Sequence, residues 1–240
     1  MTALPIALIG LGRMGRAVEQ LAPERGFEVV ARLAKAGSGA RAITSDLLRG
    51  AAVAIEFTTS SAAAENARAC IAAGCPIVVG TTGWYDQLPS LRAEATRLGG
   101  ALLTAPNFSV GVVLFDRVVA EAARLFAAVP GFDVHLIDIH HSAKTDAPSG
   151  TASMLAATAG KATGIAVPIS SVRTGSVPGT HELIFDAPFE QVRLVHEARD
   201  RRVFAEGALL AARWLVGRRG AYTMNDVIDA FNSTSLPRRP

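Results

Sequence analysis

Between His140 and Ala152 the chain reads HHSAKTDAPSGTA, thirteen positions that hold two adjacent histidines, a lysine, an aspartate and a Pro-Ser-Gly-Thr turn. Imidazole titrates near neutral pH and can carry a proton, and a lysine can protonate or neutralise an anionic group beside it. The apolar run FDVHLIDIHH (132–141) reads as a strand that delivers His140 and His141 to its end. APSG then turns the chain so that Gly150 and Thr151 begin a helix running through Met154 to Ala159. The first turn of a helix has unpaired backbone N–H groups and a dipole that favours an anion, so this start suits a carboxylate. The pattern joins a carboxylate pocket to two proton carriers. His140, His141 and His181 are also candidate metal ligands. Adjacent histidines on a strand point to opposite faces, however, and no acid at ligand spacing completes a site, so no metal is expected. Any one of these histidines fits a capping or core role; the density of the cluster does not.

A second constellation lies near the start of the chain. Gly10, Leu11, Gly12, Arg13, Met14 and Gly15 spell G-x-G-x-x-G directly after a short apolar run and at the mouth of a helix. Glycines there allow a tight turn and let a pyrophosphate approach the backbone at the positive end of the helix. The bland alternative is a glycine turn that only lets the helix pack on a sheet. Two further loops follow later apolar runs: Gly80, Thr81 and Thr82 in one, and Ala105, Pro106, Asn107 and Phe108 in the other. In open parallel sheets ligands lie beyond the carboxyl ends of the strands, so both loops point toward the nicotinamide half of a dinucleotide, where Phe108 can stack, although a lone Phe at a domain junction more often only packs. EFTTS (56–60) offers Thr58 and a helix cap. In an NAD site the second strand ends in an acid that binds the ribose hydroxyls. Here Ala34 stands in that place, followed by Lys35, with Arg32 nearby and Arg13 in the glycine loop. Lys35 is either a solvated loop cation or the partner of a 2′-phosphate; the second role predicts NADPH as the preferred cofactor, with NADH still usable.

The elements that must position these residues are legible as periodicity. Runs at 4–10, 27–33, 52–57, 76–80 and 101–105 are short, apolar and bounded by turn residues, as buried parallel strands are. Helix-compatible segments at 13–24, 60–73 and 85–98 alternate with them, the rhythm of a doubly wound, Rossmann-type α/β sheet. After a long amphipathic segment at 110–128 the rhythm changes. ISSVRTG, GTHELIFDA and FEQVRLVHEA follow one another with only tight turns between them, which predicts a central α+β domain with an open, mostly antiparallel sheet. Val172, Leu183, Phe185, Val192 and Val195 exceed what one covered face needs and suggest a second face buried against another subunit. Helical segments return at 201–217 and 223–231, the latter opened by Thr223 with Asp226 three residues on. The chain divides into a dinucleotide-binding domain, 1–107, completed by helices in about 212–240, and a substrate-binding and oligomerisation domain, 108–211.

Composition narrows the class further. With 240 residues, 50% of them hydrophobic, the chain can bury one large core or two modest ones. Its net charge of +3 comes from scattered arginines, without a basic run, which argues against nucleic acid and suits small anions. Cys70 and Cys75 cannot frame a disulfide scaffold or a four-cysteine zinc site. No apolar run reaches the ~20 residues of a membrane span, and a soluble, cytoplasmic protein is expected.

Taken together, GLGRMG, EFT, GTTG, APNFSVGV and above all HHSAKTDAPSGTA, with VRTGSVPGTHELIF and a late ARWL, resemble the 4-hydroxy-tetrahydrodipicolinate reductase family, formerly called dihydrodipicolinate reductase. The likeness extends over nearly the whole chain, and its His-His-x-x-Lys-x-Asp-Ala-Pro-Ser-Gly-Thr run is highly specific. The resemblance implies reduction of 4-hydroxy-tetrahydrodipicolinate to tetrahydrodipicolinate by NADH or NADPH, with loss of water, in lysine biosynthesis through diaminopimelate. It further implies a Rossmann domain completed by the C-terminal helices and a homotetramer built through the central sheet. By the same resemblance His140 is the general acid/base, and Lys144 is a second proton donor or charge stabiliser. His141, Gly150 and Thr151 hold the carboxylates of a dicarboxylate substrate, while the glycine loop, Gly80 to Thr82 and Ala105 to Phe108 hold the cofactor. Two features depart from the family: the glycine loop is one residue shorter than its usual form, and the acid expected at Ala34 is missing. The residues also fit another NAD(P)-dependent reductase or amino-acid dehydrogenase. A non-catalytic nucleotide sensor fits less well, because it has no use for proton carriers beside a carboxylate site.

Overall fold

The structure is a computed structural model that describes residues 2–34 and 43–233; Lys35 lies outside them. In chain order β1 (Leu4–Ile9), α1 (Arg13–Leu21), β2 (Phe27–Leu33), α2 (Ser45–Leu48), β3 (Val53–Glu56), α3 (Ser60–Ala72), β4 (Ile77–Val79), α4 (Leu88–Leu98) and β5 (Ala101–Thr104) alternate. They are followed by α5 (Val110–Ala127), β6 (Asp133–His140), α6 (Gly150–Thr163), β7 (Ile169–Arg173), β8 (Thr180–Ala187) and β9 (Glu190–Glu197). Finally come α7 (Arg202–Leu215), β10 (Gly220–Tyr222) and α8 (Met224–Ser233). Two compact units result, Met1–Val110 with Phe204–Pro240, and Gly111–Val203.

The first unit is built on a six-stranded sheet in the order β10-β5-β4-β3-β1-β2, with every pairing parallel. The chain reverses its direction of travel across the sheet at β1, so the loop after β1, which carries the glycines, opens at the switch point where such sheets bind ligands. Ala7, Ile9, Ala54, Ile77, Val79 and Leu102 pack on one face against Ala63, Ala67, Leu91 and Ala95 of α3 and α4. Their alternates Ile6, Leu8, Ile55, Val78 and Leu103 are equally buried on the other face. Burial on both faces explains why these strands read as unbroken apolar runs. β10 was not legible in that way: it is three residues long and is fixed by pairing Gly220 with Ala101. The start of α8 is held as expected, with the Thr223 N–H and hydroxyl both donating to Asp226 at 2.7 Å.

The second unit carries a four-stranded sheet in the order β7-β6-β8-β9. β6 pairs antiparallel with β8, and β8 with β9, but β7 lies parallel to β6 because α6 carries the chain back between them. Val134, Leu136, Leu183 and Phe185 meet Val119 and Ala123 of α5 and Leu155 and Ala159 of α6. This corrects the expectation of a second apolar face carried by five residues. Leu183, Phe185 and Val192 belong to the helix-covered face, whereas Val172 and Val195 are exposed, at 42% and 53%.

Alternation along the strands extends the covered face into polar residues. Leu136 pairs with Leu183, and two residues further on Asp138 pairs with Ser171 on one side and His181 on the other. His181 in turn pairs with His196, so Ser171, Asp138, His181 and His196 form one rung across all four strands. His140 and Arg173 form the next rung. A core face that is apolar at one end of the sheet thus becomes a row of ionisable side chains at the other.

Candidate active site

Asp138 is the centre of that row and is completely buried. Its Oδ2 accepts from the Ser149 N–H (2.9 Å), the Ser171 hydroxyl (3.2 Å) and Arg173 Nη2 (2.9 Å), while Oδ1 accepts from the Ser149 hydroxyl (2.8 Å). Burial alone would raise this carboxyl, but the Ser149 amide, Arg173 and the Ser149 hydroxyl outweigh it and bring its pKa down to about 2. His140 Nδ1 lies 2.9 Å from Asp138 Oδ1. The approach is not aligned for a hydrogen bond, so the pair is a close charge contact. Burial holds the His140 imidazole below its ordinary pKa against the pull of Asp138. His181 stands 5.3 Å from His140, ring to ring, and is pushed down to about 4 by burial and then by the charge of His140. His196, 6.1 Å beyond it, is also lowered by burial.

The far nitrogen of His140 is reached past a glycine. A Cβ at Gly179 would lie 2.9 Å from His140 Nε2, and Gly179 adopts φ +156°. A side chain there would cover the nitrogen that faces away from Asp138. Lys144 donates to both carboxylate oxygens of Asp146, at 2.7 and 2.8 Å, and its hydrogen bond holds the Asp146 carboxyl below its usual pKa.

His141 directly follows β6 and is half-buried. Its Nε2 is 3.1 Å from Arg201 Nη2, and it lines a cleft of about 450 Å³ with Ser142, Ser176, Arg199 and Arg201. Gly150 and Thr151 occupy the first turn of α6, which runs four residues past Ala159 to Thr163. Not all of that turn is open to a ligand: the Ser149 hydroxyl accepts from the Ala152 N–H at 3.1 Å. The same Ser149 ties the helix to Asp138, so one residue joins the first turn of α6 to the buried carboxylate.

Sequence reasoning missed Asp138, Ser149, Arg173, His196, Gly179 and Arg201. Asp138 had a signal, since a charge at an inward position of HLIDIHH demands a partner. Its absence from the expectations matters for metal: the argument that no acid stands near the histidines is corrected, because ligand atoms of Asp138, His140 and His181 all lie within 4.8 Å of one another. Arg173 already supplies positive charge to that carboxylate.

The loops of the first unit are shaped by backbone. Gly10 has φ +92°, and a Cβ on it would stand 2.1 Å from the carbonyl oxygen of Phe57; a Cβ on Gly15 would stand 1.9 Å from that of Gly10. Gly12 is the N-cap of α1, with no side-chain cap and no acid in the first turn. Amides without a capping side chain at a helix start with a glycine approach fit a pyrophosphate. Leu11 and Met14 are half-buried and Arg13 is exposed. Gly80 leaves room for the ring of Phe57, Thr81 is half-buried and Thr82 is exposed. Ala105 is buried, Pro106 exposed and Asn107 half-buried, with Asn107 Oδ1 accepting from the Ser109 N–H at 2.8 Å. Phe108 is a core residue, 3% exposed and edge-on to Phe57 at 6.0 Å; stacking on a ligand is not what its ring does. Ala34 directly follows Leu33, whose carbonyl accepts from the Gly10 N–H at 2.8 Å. Arg32 is engaged with Glu19 at 2.5 Å.

A glycine-loop parallel sheet and a separate α+β unit with a buried acid–imidazole row define a two-domain, nicotinamide-dependent oxidoreductase. The family model for the N-terminus of dihydrodipicolinate reductase matches residues 4–108, and that for its C-terminus matches 111–228. The chain belongs to the dihydrodipicolinate reductase family. It is 32% identical to the 4-hydroxy-tetrahydrodipicolinate reductase of Christiangramia forsetii, over 95% of this chain and 99% of that one. It is 36% identical to the enzyme of the same name from Gluconobacter oxydans, with the same coverage of each. In fold it is similar to a dipicolinate-bound dihydrodipicolinate reductase from Paenisporosarcina sp. TG-14, with a TM-score of 0.78 at 22% identity, over 94% of this chain and 99% of that one. No described helix is long and apolar enough to cross a membrane.

Proposed function

We propose that this chain reduces 4-hydroxy-tetrahydrodipicolinate to tetrahydrodipicolinate, with loss of water and oxidation of NADPH or NADH, as a step of lysine biosynthesis through diaminopimelate. The observation that carries the residue assignments is the buried row in which Asp138 sits against one nitrogen of His140 while Gly179 leaves the other uncovered. Bound at the glycine loop, Gly80 to Thr82 and Ala105 to Phe108, the nicotinamide cofactor supplies a hydride. Loss of the 4-hydroxyl as water leaves a conjugated C=C–C=N system; as hydride adds to it, electron density would move toward the ring nitrogen, and a cation beside it would stabilise that charge before a proton completes the reduction. Lys144 provides this cation, with Asp146 limiting where the amine can go. His140 carries the proton at Nε2, and Asp138 steadies the imidazolium through its proximity to Nδ1. His141 and the first turn of α6 at Gly150 and Thr151 hold the substrate carboxylates, and Arg201 strengthens the His141 end. The relative from Paenisporosarcina was solved with dipicolinate, a ring with two carboxylates, which supports a dicarboxylate here.

The cofactor of choice is NADPH, because Ala34 offers no acid to the ribose and Lys35 and Arg13 are cations close in sequence to the site. A homotetramer joined through the central sheet accounts for exposed Val172 and Val195 on the side away from the helices. A cytoplasmic location and small-molecule partners, without nucleic acid or membrane, complete the assignment. The test is loss of NADPH absorbance with freshly prepared substrate. Stoichiometric oxidation is expected; a protein that binds NADPH and leaves it unoxidised in the presence of substrate is a sensor, and the assignment fails.

A further inference from the structure

At the carboxyl end of β3 lies a carboxyl group that the chemistry above does not use. Glu56 is 0% exposed and shares the face of Ala54, toward α3. Its Oε1 accepts from the Thr58 N–H at 2.9 Å, from the Thr58 hydroxyl, and from Asn66 Nδ2 at 3.5 Å. Its Oε2 is sealed from solvent and has no hydrogen-bond partner among the described residues. The Thr58 N–H also reaches Thr81 Oγ1 at 2.7 Å, and Trp84 Nε1 donates to the Thr81 carbonyl at 2.7 Å. One polar chain therefore runs from α3 through Glu56 and Thr58 to the loop after β4.

The next residue touches the remaining loops. The carbonyl of Phe57 abuts Gly10, its ring occupies the space that a Cβ on Gly80 would need, and its edge meets Phe108. We infer that Glu56 is a positioning residue of the dinucleotide site, whose buried carboxyl fixes Thr58 and so locks together the loops that begin at Gly10, Phe57, Gly80 and Ala105. The inference rests on the assignment of those loops to the cofactor. The Thr58 N–H, the Thr58 hydroxyl and Asn66 all donate to Oε1, so one oxygen of this carboxyl carries the link between α3 and the loop after β3. Burial raises this carboxyl above its ordinary pKa despite the hydrogen bonds from Thr58, Thr81 and Asn66. Cys70 faces it from α3 with its own thiol pushed up by burial, and Thr58, Thr81 and Asn66 carry no charge. A raised acid stabilises the fold in its protonated form, so the lock is complete at low pH and weakens as pH rises through the raised pKa.

The experiment measures NADPH dissociation by fluorescence from acid through neutral to alkaline pH, with kcat and KM for the dicarboxylate, in full-length wild type, Glu56→Ala and Glu56→Gln. Glu56→Ala is expected to weaken NADPH by about tenfold, the scale of a lost buried hydrogen-bonding group, with KM for the dicarboxylate moving by less than about twofold. Glu56→Gln, which keeps the accepting oxygen without ionising, is expected to recover most of that affinity and to hold it as pH rises while wild type weakens. A Glu56→Ala protein that binds NADPH as wild type does overturns the inference, since a merely structural role would lower its melting temperature and leave affinity alone. Parallel pH profiles for wild type and Glu56→Gln overturn it too, and decide the matter if Glu56→Ala does not fold. A wild type that binds neither NADPH nor NADH overturns the cofactor assignment beneath it, a result that cannot be mistaken for the others.

Discussion

The two sheets end in opposite ways. At the carboxyl ends of β1 and β4 the first sheet presents backbone, through Gly10, Gly12, Gly15 and Gly80, and three of these positions have no room for a Cβ. The four strands of the second sheet present side chains instead, Ser171, Asp138, His181 and His196 on one rung and His140 with Arg173 on the next. The first kind of site is damaged by adding atoms and the second by removing charge. Binding a phosphate group needs amides at fixed positions, which backbone supplies without titrating. Moving a proton needs groups whose charge can change, and these must be paired when buried.

The largest expected effect separates the two ends. His140→Gln and Lys144→Ala should each lower kcat by about 10²-fold or more while NADPH affinity barely moves. Gly15→Ala should do the reverse and abolish NADPH binding first, since its Cβ would stand 1.9 Å from a carbonyl oxygen. Steady-state kinetics with NADPH titration checks both arms. Near-normal kcat in both side-chain variants would remove the catalytic assignment, and normal NADPH affinity in Gly15→Ala would remove the backbone one.

A smaller effect lies in stability against acid, and it belongs to the second sheet alone. His181 is held at about 4, below its ordinary 6.5, so it is buried neutral; stability from this is present above about pH 6.5 and is lost as pH falls toward 4. Asp138 is held at about 2, below its ordinary 3.8; its contribution is present above about pH 4 and is lost as pH falls through 2. The second shift corresponds to about 2 kcal/mol, so melting temperature should fall in two acid stages. Asp138→Asn should erase the later stage, and should also cost stability at neutral pH by leaving Arg173 without its buried counter-charge. Wild type and variant with superimposable melting curves from neutral pH to acid would show that the row carries no such coupling.

The same contrast explains what was legible in the residues. Backbone-built features have short-range signatures: G-x-G-x-x-G, and apolar runs broken by turns, announced the first sheet strand by strand, missing only short α2 and β10. The run from His140 to Thr151 is equally local. Asp138, Arg173, His181 and His196 are brought together by register across four strands, and register is set by tertiary pairing that no single window contains. Leu183 and Val195 look alike in composition, yet they differ by one step of parity, which puts one in the core and the other in solvent. The parallel β6–β7 pair was hidden for a related reason, since it depends on α6 as a crossover rather than on either strand.

The smallest expected effect concerns the one place where the backbone-built site must choose between two anions. Gly10 is tied to the Leu33 carbonyl, so Ala34 occupies the step from strand to loop where an acid would bind the ribose. Without that acid NADH loses a charge-assisted hydrogen bond worth roughly 1.5–3 kcal/mol at best, and a 2′-phosphate no longer meets a like charge. Arg32 is paired with Glu19, and Lys35 and Arg13 are the cations proposed above for that phosphate. An exposed ion pair contributes about 0–1 kcal/mol, so Lys35→Ala should weaken NADPH by no more than about fivefold, leave NADH unchanged, and lose its effect as salt rises. Measuring kcat/KM for both cofactors at low and high salt decides the point. A wild-type preference for NADH, or a Lys35→Ala variant that loses nothing with NADPH, would mean that the missing acid at Ala34 only loosens the grip on NADH and selects nothing in its place.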